Sequence, residues 1–423
     1  MISCIDDHLS ALYRLRRFGI KLGLATISRL MRGLGNPQDG YSCIHVAGTN
    51  GKGSVAALLS SVLACAGYRV GLYTSPHLVR FNERIQVNGH PVSDGDVAEA
   101  AEAVQRIYTQ ADPPTFFECA TAMALYHFAL KKVDWAVLET GMGGRYDATN
   151  VVHPEVCIIT NISMEHTEYL GKTLARIASE KAGIIKAGAG VVTGARQKSA
   201  LKVIEQRASE KGVPLLRLGK EIRVRKGQDG FFTYRSTKRV LTRVKVGLFG
   251  EHQILNGALV LGTLELLMEK GLKVPDDAIY TGLAEVCWPG RLEVVSDYPL
   301  VLLDGAHNPS AVRVLRRFLE NGAGSRRLML VVGILKDKAW KPMLRDLAAV
   351  ANRMILARPQ YERAADPHEL ASFLRPLKKD VVVIPHLPDA ISLAMDEAAP
   401  GDVVCITGSL YTAGEARAIL TAC

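Results

Sequence analysis

The stretch Cys43-Ile44-His45-Val46-Ala47-Gly48-Thr49-Asn50-Gly51-Lys52-Gly53-Ser54-Val55-Ala56-Ala57-Leu58-Leu59 decides the fold. Its first five residues read as a short strand, its last five open an apolar helix, and glycines fill the turn between them. Phosphate binding needs this order. Glycines let backbone N–H groups approach phosphate oxygens, and a helix N-terminus adds partial positive charge. Lys52 is then placed to reach the β- and γ-phosphates, and the Ser54 hydroxyl to face Mg²⁺. The loop departs from the strict G-x-x-x-x-G-K-[ST] spacing. Gly53 separates Lys52 from Ser54, and no glycine stands at the expected first position. The rival reading, a glycine-rich turn with an incidental lysine, fits the strand–loop–helix context poorly.

Outward from this loop, short apolar runs alternate with helical patterns. Strands are expected at Cys43–Ala47, Ala136–Glu139, Val156–Thr160 and Val191–Thr193, with helices such as Val55–Ala66 and Thr121–Leu130 between them. Such alternation argues for a parallel sheet covered by helices. Residues 222–249 differ: Phe231-Phe232-Thr233-Tyr234, Val240, Val244 and Val246 stand among charges and turn residues, as in a small antiparallel insert. Trp288-Pro289-Gly290-Arg291 then breaks the pattern. Beyond it, strands are expected at Leu300–Leu303, Leu328–Val332, Met354–Ala357, Val381–Ile384 and Val403–Ile406. The predicted fold class is α/β. A mostly parallel sheet domain with the phosphate loop and the insert covers 1–290, and a smaller Rossmann-like α/β domain covers 291–423.

Bulk properties fit an enzyme of this kind. The chain has 423 residues, enough for two or three domains, with 48% hydrophobic and 22% charged residues. No apolar run reaches the ~18–20 residues needed to cross a bilayer, and the N-terminal stretch lacks a signal-peptide core. A cytoplasmic location is therefore expected. The eight cysteines (Cys4, Cys43, Cys65, Cys119, Cys157, Cys287, Cys405 and Cys423) include no C-x-x-C pair, so buried free thiols are expected rather than disulfides or zinc. The net charge of +10 is spread along the chain and aromatics are only 6%, which argues against nucleic-acid binding and suits an anionic substrate.

Two strand ends carry acids. Glu139 closes an apolar run before Gly141-Met142-Gly143-Gly144-Arg145, where a carboxylate faces the ligand crevice of a parallel sheet and suits Mg²⁺. The same glycines offer a dinucleotide fingerprint as a rival, but the G-x-G-x-x-G spacing is incomplete. His166, just past the strand ending at Thr160, is placed equally well for a site role or a structural one. Lys181 reads locally as an exposed helix lysine. Leu303-Asp304-Gly305-Ala306-His307-Asn308-Pro309 repeats the logic of strand, acid and turn, with a helix starting near Asn308-Pro309. Plain turn chemistry with Asn308 as N-cap explains that segment nearly as well.

Taken together, Gly48–Ser54, Thr74-Ser75-Pro76-His77-Leu78, the run from Glu139 to Asn150, Glu180–Lys186, Trp288–Glu293 and Asp304–Asn308 resemble the folylpolyglutamate synthase/dihydrofolate synthase branch of the Mur ligase superfamily. The resemblance runs from about Leu22 to Leu410. It implies that ATP phosphorylates a carboxylate of dihydropteroate or a reduced folate. The amine of L-glutamate then displaces phosphate to form an amide. It implies ATP held by Thr49, Asn50, Gly51, Lys52, Gly53 and Ser54, with Asn256, Arg291 and Asp304 as further nucleotide contacts. It implies Ser75, Glu139 and His166 as ligands to Mg²⁺, two ions in all, and Lys181 as a carbamylated lysine near the second. Potassium is a further ion it suggests. Lys52, Lys181 and His307 would act in catalysis, and Phe117, Glu118, Tyr146, Asp147 and Ala148 would hold the pterin. Glu165 stands where the family often has Asp before the metal histidine. The partners implied are small molecules, with no nucleic acid or membrane, and the enzyme is expected as a monomer. A non-folate Mur-type ligase remains the near competitor, against which Asp147-Ala148-Thr149-Asn150 argues. A P-loop phosphotransferase or NTPase is the competitor from another class.

Overall fold

The structure, a computed structural model, describes residues 5–19, 21, 23–109, 112–227, 230–324 and 326–421. Cys4 and Cys423 lie outside the described residues. The chain divides into two compact units, one of residues 1–77, 81–247 and 253–286, the other of 78–80, 248–252 and 287–423.

The first unit is built on eight strands: β1 (Ser42–Ala47), β2 (Val70–Tyr73), β3 (Ile85–Val87), β4 (His90–Pro91), β5 (Trp135–Glu139), β6 (Val156–Ile159), β7 (Gly190–Thr193) and β8 (Leu215–Arg217). Their order is β4-β3-β2-β5-β1-β6-β7-β8. The run from β2 to β8 is parallel, and β3 and β4 add an antiparallel edge. Central parallel strands are covered on both faces, so they read as unbroken apolar runs. Accordingly Cys43, Ile44, Val46 and Ala47 of β1 are all buried. The register sets Val46 opposite Glu139 and Ala47 opposite Ile159. The loops leaving β1, β5 and β6 therefore emerge side by side at the carboxyl edge, where an open α/β sheet binds its ligands.

Helix Lys52–Cys65 follows β1 and is apolar nearly all round, as a helix buried within a unit must be. Helix Phe116–Leu130 opens on a capping box. Thr115 accepts from the Glu118 N–H, and the Glu118 carboxylate accepts from the Thr115 N–H. The expected insert is a three-stranded antiparallel sheet of β9 (Arg223–Lys226), β10 (Phe232–Arg235) and β11 (Val240–Val244). Phe232 and Tyr234 point inward and Arg223, Arg225 and Arg235 outward, the alternation of a sheet with one buried face.

The second unit holds β12 (Glu293–Asp297), β13 (Leu300–Leu303), β14 (Leu328–Val332), β15 (Arg353–Arg358), β16 (Asp380–His386) and β17 (Val403–Thr407), in the order β12-β13-β17-β14-β15-β16. All neighbours are parallel except the edge strand β12. Along β14, Leu328, Leu330 and Val332 pack under helices Pro309–Ala323, Trp340–Val350 and Pro367–Leu374. Met329 and Val331 face helices Leu387–Glu397 and Leu410–Leu420. The two-unit α/β architecture is the expected one.

The six described cysteines are free thiols. Cys43, Cys119, Cys157 and Cys405 are buried as expected, whereas Cys65 and Cys287 are exposed. Cys65 is the last residue of its helix, and Cys287 lies in the segment leading to Gly290, so neither side chain is covered although Cys65 ends an apolar run. Among the described residues no helix is long and apolar enough to cross a membrane.

Candidate active site

The phosphate loop is held in shape by the turn after β6. Thr49 N–H donates to the Asn161 carbonyl at 3.0 Å, and Asn50 N–H donates to Asn161 Oδ1 at 3.0 Å. The Asn50 carbonyl accepts from Thr160 Oγ1 at 2.7 Å and from Asn161 Nδ2 at 2.9 Å. Thr49 and Ser163 bond each other through hydroxyl and backbone. Two glycines are required here. Gly51 has φ of 82°, and a Cβ there would stand 2.9 Å from Asn256 Oδ1. A Cβ on Gly48 would lie 1.8 Å from Thr160 Oγ1. From helix Glu251–Glu269, Asn256 Nδ2 donates to Gln253 Oε1 at 2.8 Å, and Gln253 Nε2 donates to Ser54 Oγ at 3.4 Å. That helix therefore meets the loop at Gly51 and at Ser54.

Charged groups converge beside it. Lys52 Nζ lies 3.8 Å from Glu139 Oε1 and donates to the Thr49 carbonyl at 3.4 Å. Glu139 is buried, and its Oε2 accepts from the Ser75 N–H at 3.2 Å. Lys181 is not the exposed lysine of the local reading. It is 4% exposed, and its Nζ donates to the Gly48 carbonyl at 2.7 Å. The reason is tertiary: the segment after β5 lies over the end of helix Leu174–Lys181. Arg145 N–H donates to the Glu180 carbonyl at 2.8 Å, and a Cβ on Gly144 would stand 2.8 Å from the Lys181 carbonyl. Burial, then the Lys52 charge, pushes the Lys181 amine down to about 7, against the pull of Glu165 and Asp147.

The structure thus brings Lys52, Glu139 and Ser75 together and sets Lys181 on the loop. His166 lies in the turn after β6, exposed, with left-handed φ of 50° at the start of helix Thr167–Leu170. Among the described residues no three His, Cys, Asp or Glu side chains gather as a metal cluster. The Glu139 carboxylate and Ser75 hydroxyl supply the hard oxygen donors that Mg²⁺ takes alongside water and phosphate oxygens, so the residues present fit that ion.

The Tyr146–Ala148 segment follows. Asp147 is buried and caps the turn Ala148–Val151, accepting from Met142 N–H at 2.8 Å and from the Thr149 N–H and hydroxyl at 3.1 and 2.5 Å. Burial raises its pKa above the usual carboxylate value, and these donors offset only part of that shift. Ala148 is buried and Tyr146 exposed. Phe117 stands over the backbone at Gly141, where a Cβ would come within 2.6 Å of its ring, and its ring centre is 6.1 Å from that of Tyr73. Glu118 is committed to the capping box, its Oε2 accepting from Thr115 N and Oγ1 at 2.8 and 2.9 Å.

One cluster escaped the sequence reading. Arg84, buried on the way into β3, donates from Nε to His77 Nδ1 at 2.8 Å. Its guanidinium lies 5.1 Å from the Phe116 ring centre, and that of Arg16 lies 5.0 Å from the same ring. Burial, then Arg84 and Arg16, pushes His77 down to about 3, leaving it neutral. Two guanidiniums on one aromatic ring suit an aromatic ligand with a carboxylate. Arg16, Arg84 and Phe116 are far apart in sequence and form no local motif, so no local signal marks them.

In the second unit, Asp304 leaves β13 buried and accepts from Leu292 N–H at 3.0 Å and Ala306 N–H at 2.9 Å. Burial raises its pKa, and Arg291 opposes that shift. Gly305 lies against Arg291, whose Nη1 would be 2.6 Å from a Cβ there. His307 Nδ1 donates to the Gly305 carbonyl at 2.9 Å, which fixes the tautomer with Nε2 as the basic nitrogen. Asn308 caps helix Pro309–Ala323, accepting from Ala311 N–H at 2.9 Å.

A phosphate loop on a parallel sheet, a strand-end acid beside its lysine and a second α/β unit together define an ATP-dependent ligase of the Mur type. The model of the Mur ligase middle domain matches residues 46–264, and that of the Mur ligase glutamate ligase domain matches 290–410. The chain is 36% identical over 430 residues to the dihydrofolate synthase/folylpolyglutamate synthase of Bacillus subtilis strain 168, covering 99% of each chain. It belongs to the folylpolyglutamate synthase/dihydrofolate synthase family. Its structure superposes on Escherichia coli FolC in complex with DHPP and ADP with a TM-score of 0.90, at 32% identity over 98% of both chains. It also superposes on the bifunctional enzyme of Yersinia pestis complexed with AMPPNP and Mn ion, with a TM-score of 0.89 at 32% identity, over 99% of this chain and 98% of that one.

Proposed function

We propose that this ligase joins L-glutamate to dihydropteroate, to reduced folates, or to both, through an acyl phosphate, with release of ADP and phosphate. The observation that carries the proposal is the meeting of Lys52 with the strand-end acid Glu139 at the mouth of the phosphate loop. The loop N–H groups and Lys52 bind the triphosphate, and Asn256 and Gln253 hold the loop to receive it. Lys52 follows the γ-phosphoryl as it moves to the substrate carboxylate, neutralising charge where it develops. The glutamate amine then attacks the activated carbonyl and phosphate leaves. Mg²⁺, held by Glu139, Ser75 and His166, would neutralise phosphate charge when bound.

Lys181 supports the same reading. An amine held near pH 7 is partly neutral in neutral solution, and a neutral amine adds carbon dioxide to give a carboxylate-like carbamate. Its bond to the Gly48 carbonyl points it at the phosphate loop. We assign the phosphate loop, Asn256 and the pterin contacts to residues 1–290, and Arg291 and Asp304, as further nucleotide contacts, with the catalytic His307 to residues 291–423. In this reading the cluster of Arg16, Arg84 and Phe116 receives the anionic, aromatic part of the folate. The test is ADP release with dihydropteroate or tetrahydrofolate, each with and without L-glutamate. Glutamate-dependent release with at least one of them is expected. Its absence with both would reject the ligase activity.

A further inference from the structure

Beneath the site runs a buried chain that the phosphate chemistry does not use. His45, fully buried in β1 three residues before the loop, places Nε2 at 2.7 Å from Thr149 Oγ1. Thr149 Oγ1 lies 2.5 Å from Asp147 Oδ1, and Asp147 Oδ2 accepts from Met142 N–H at 2.8 Å. Among the described residues, His45 Nδ1 is buried with no partner. Burial, with Lys186 adding to it, pushes His45 down to about 3, so the ring is neutral and carries one proton.

Only two proton arrangements satisfy these contacts. In the first, His45 Nε2–H donates to Thr149, the Thr149 hydroxyl donates to Asp147, and Asp147 is a carboxylate. Nδ1 is then an orphan acceptor. In the second, a protonated Asp147 donates to Thr149, whose hydroxyl donates to Nε2, and the imidazole proton sits on Nδ1 as a buried orphan donor. Orphaned buried N–H groups are rarer than unsatisfied acceptors, and the N–H groups of Met142 and Thr149 already favour the carboxylate. The first arrangement prevails, so the chain has a direction, from β1 to Asp147.

We propose that His45 and Thr149 are positioning residues, a donor relay that fixes the Asp147 carboxylate and, through Met142, the loop that receives the pterin. The inference rests on the reading that residues 146–148 hold the pterin. It also links the strand that feeds the phosphate loop to the pterin segment by two hydrogen bonds. The relay makes Thr149 and His45 determinants of pteridine affinity and not of nucleotide affinity.

Substitutions in the full-length chain test this by separating the two affinities. Thr149→Val and His45→Leu remove donors and should raise KM for dihydropteroate about tenfold, with KM for ATP within about twofold of wild type. Thr149→Ser and His45→Gln, the latter replacing Nε2–H by an amide N–H, should restore it. Asp147→Asn is the reference for the pterin reading and should raise the same KM. If Asp147→Asn does so and Thr149→Val does not, the relay is wrong and the pterin reading stands. If Asp147→Asn leaves KM for dihydropteroate unchanged, the pterin reading fails and the relay with it. A loss of kcat in Thr149→Val with unchanged KM, not rescued by Ser, would mark Thr149 as merely structural and overturn the proposal. If the apolar variants do not fold, nitrogen NMR of the wild-type imidazole decides. Nε2 protonated with Nδ1 bare supports the relay, and the opposite tautomer overturns it.

Discussion

Lys52 and Lys181 carry the account at the level of single residues, and they differ in how each could be recognised. Lys52 announces itself through the glycines around it. Lys181 gives no local signal, because its burial comes from residues 144–145 folding over its helix and from the Gly48 carbonyl above it. Lys52→Ala should abolish ADP formation while leaving the circular dichroism spectrum intact. Activity above a few per cent of wild type would refute its role in charge neutralisation. Lys181→Ala should lose most activity and regain part of it with acetate or formate, which can stand in for the carbamate. A wild-type rate without rescue would reject the carbamate.

The same lysine has a stability signature. It holds its proton less tightly in the folded chain, at about 7, than in the unfolded chain, at about 10.4. Between those values the unfolded chain binds more protons, so wild-type stability gains a rising contribution as pH increases across that window. Below pH 7 the charged, buried amine exerts its full penalty. Lys181→Met should therefore melt higher than wild type at about pH 6, with the difference shrinking towards about pH 9 in bicarbonate-free buffer. A difference that grows with pH would contradict the neutral-amine picture.

Elements were legible in proportion to how completely the sheet covers them. β5, β6, β14 and β17, and β1 apart from His45, are buried on both faces, so each appears as an apolar run that only a parallel core strand explains. β2 was missed because Gly71 interrupts it. The gap is filled from outside, by the Phe128 ring, which would stand 2.6 Å from a Cβ there. β8 is a three-residue edge strand, and β12 an edge strand that carries Glu293, Ser296 and Asp297; both have partly exposed residues, so their patterns do not separate from loop. Caps were more readable. Asn308 before Pro309 signals a helix start, and it caps one. Asn308→Ala should cost about 1 kcal/mol of stability, read as a lowered melting temperature. No change would mean that the cap bond to Ala311 is not formed in solution. At the turn into helix Lys52–Cys65, Gly51→Ala must hold a left-handed backbone against the Asn256 amide. It should weaken nucleotide binding far more than it lowers the melting temperature, as titration with ADP would show. Unchanged ADP affinity would contradict the loop geometry.

For the whole molecule, the sequence motifs were enough to assign the class, since Gly48–Ser54 and Asp304–Asn308 each sit where a strand of a parallel sheet ends. What stayed hidden were contacts between segments distant in sequence: Arg16 with Phe116, His45 with Thr149, Gln253 with Ser54. None has a spacing rule, because tertiary packing alone brings the partners together. The exposed Cys65 and Cys287 show the same limit from the other side, as composition predicts burial on average and not at helix ends or turns.

The central claim is that ATP activates the substrate carboxylate before glutamate attacks. Turnover of dihydropteroate labelled with ¹⁸O in its carboxylate, in the presence of ATP and L-glutamate, tests it most directly. Transfer of the γ-phosphoryl to a carboxylate oxygen, followed by displacement by the glutamate amine, predicts inorganic phosphate carrying one labelled oxygen and ADP as the nucleotide product. Unlabelled phosphate, or label found in AMP, would contradict the account.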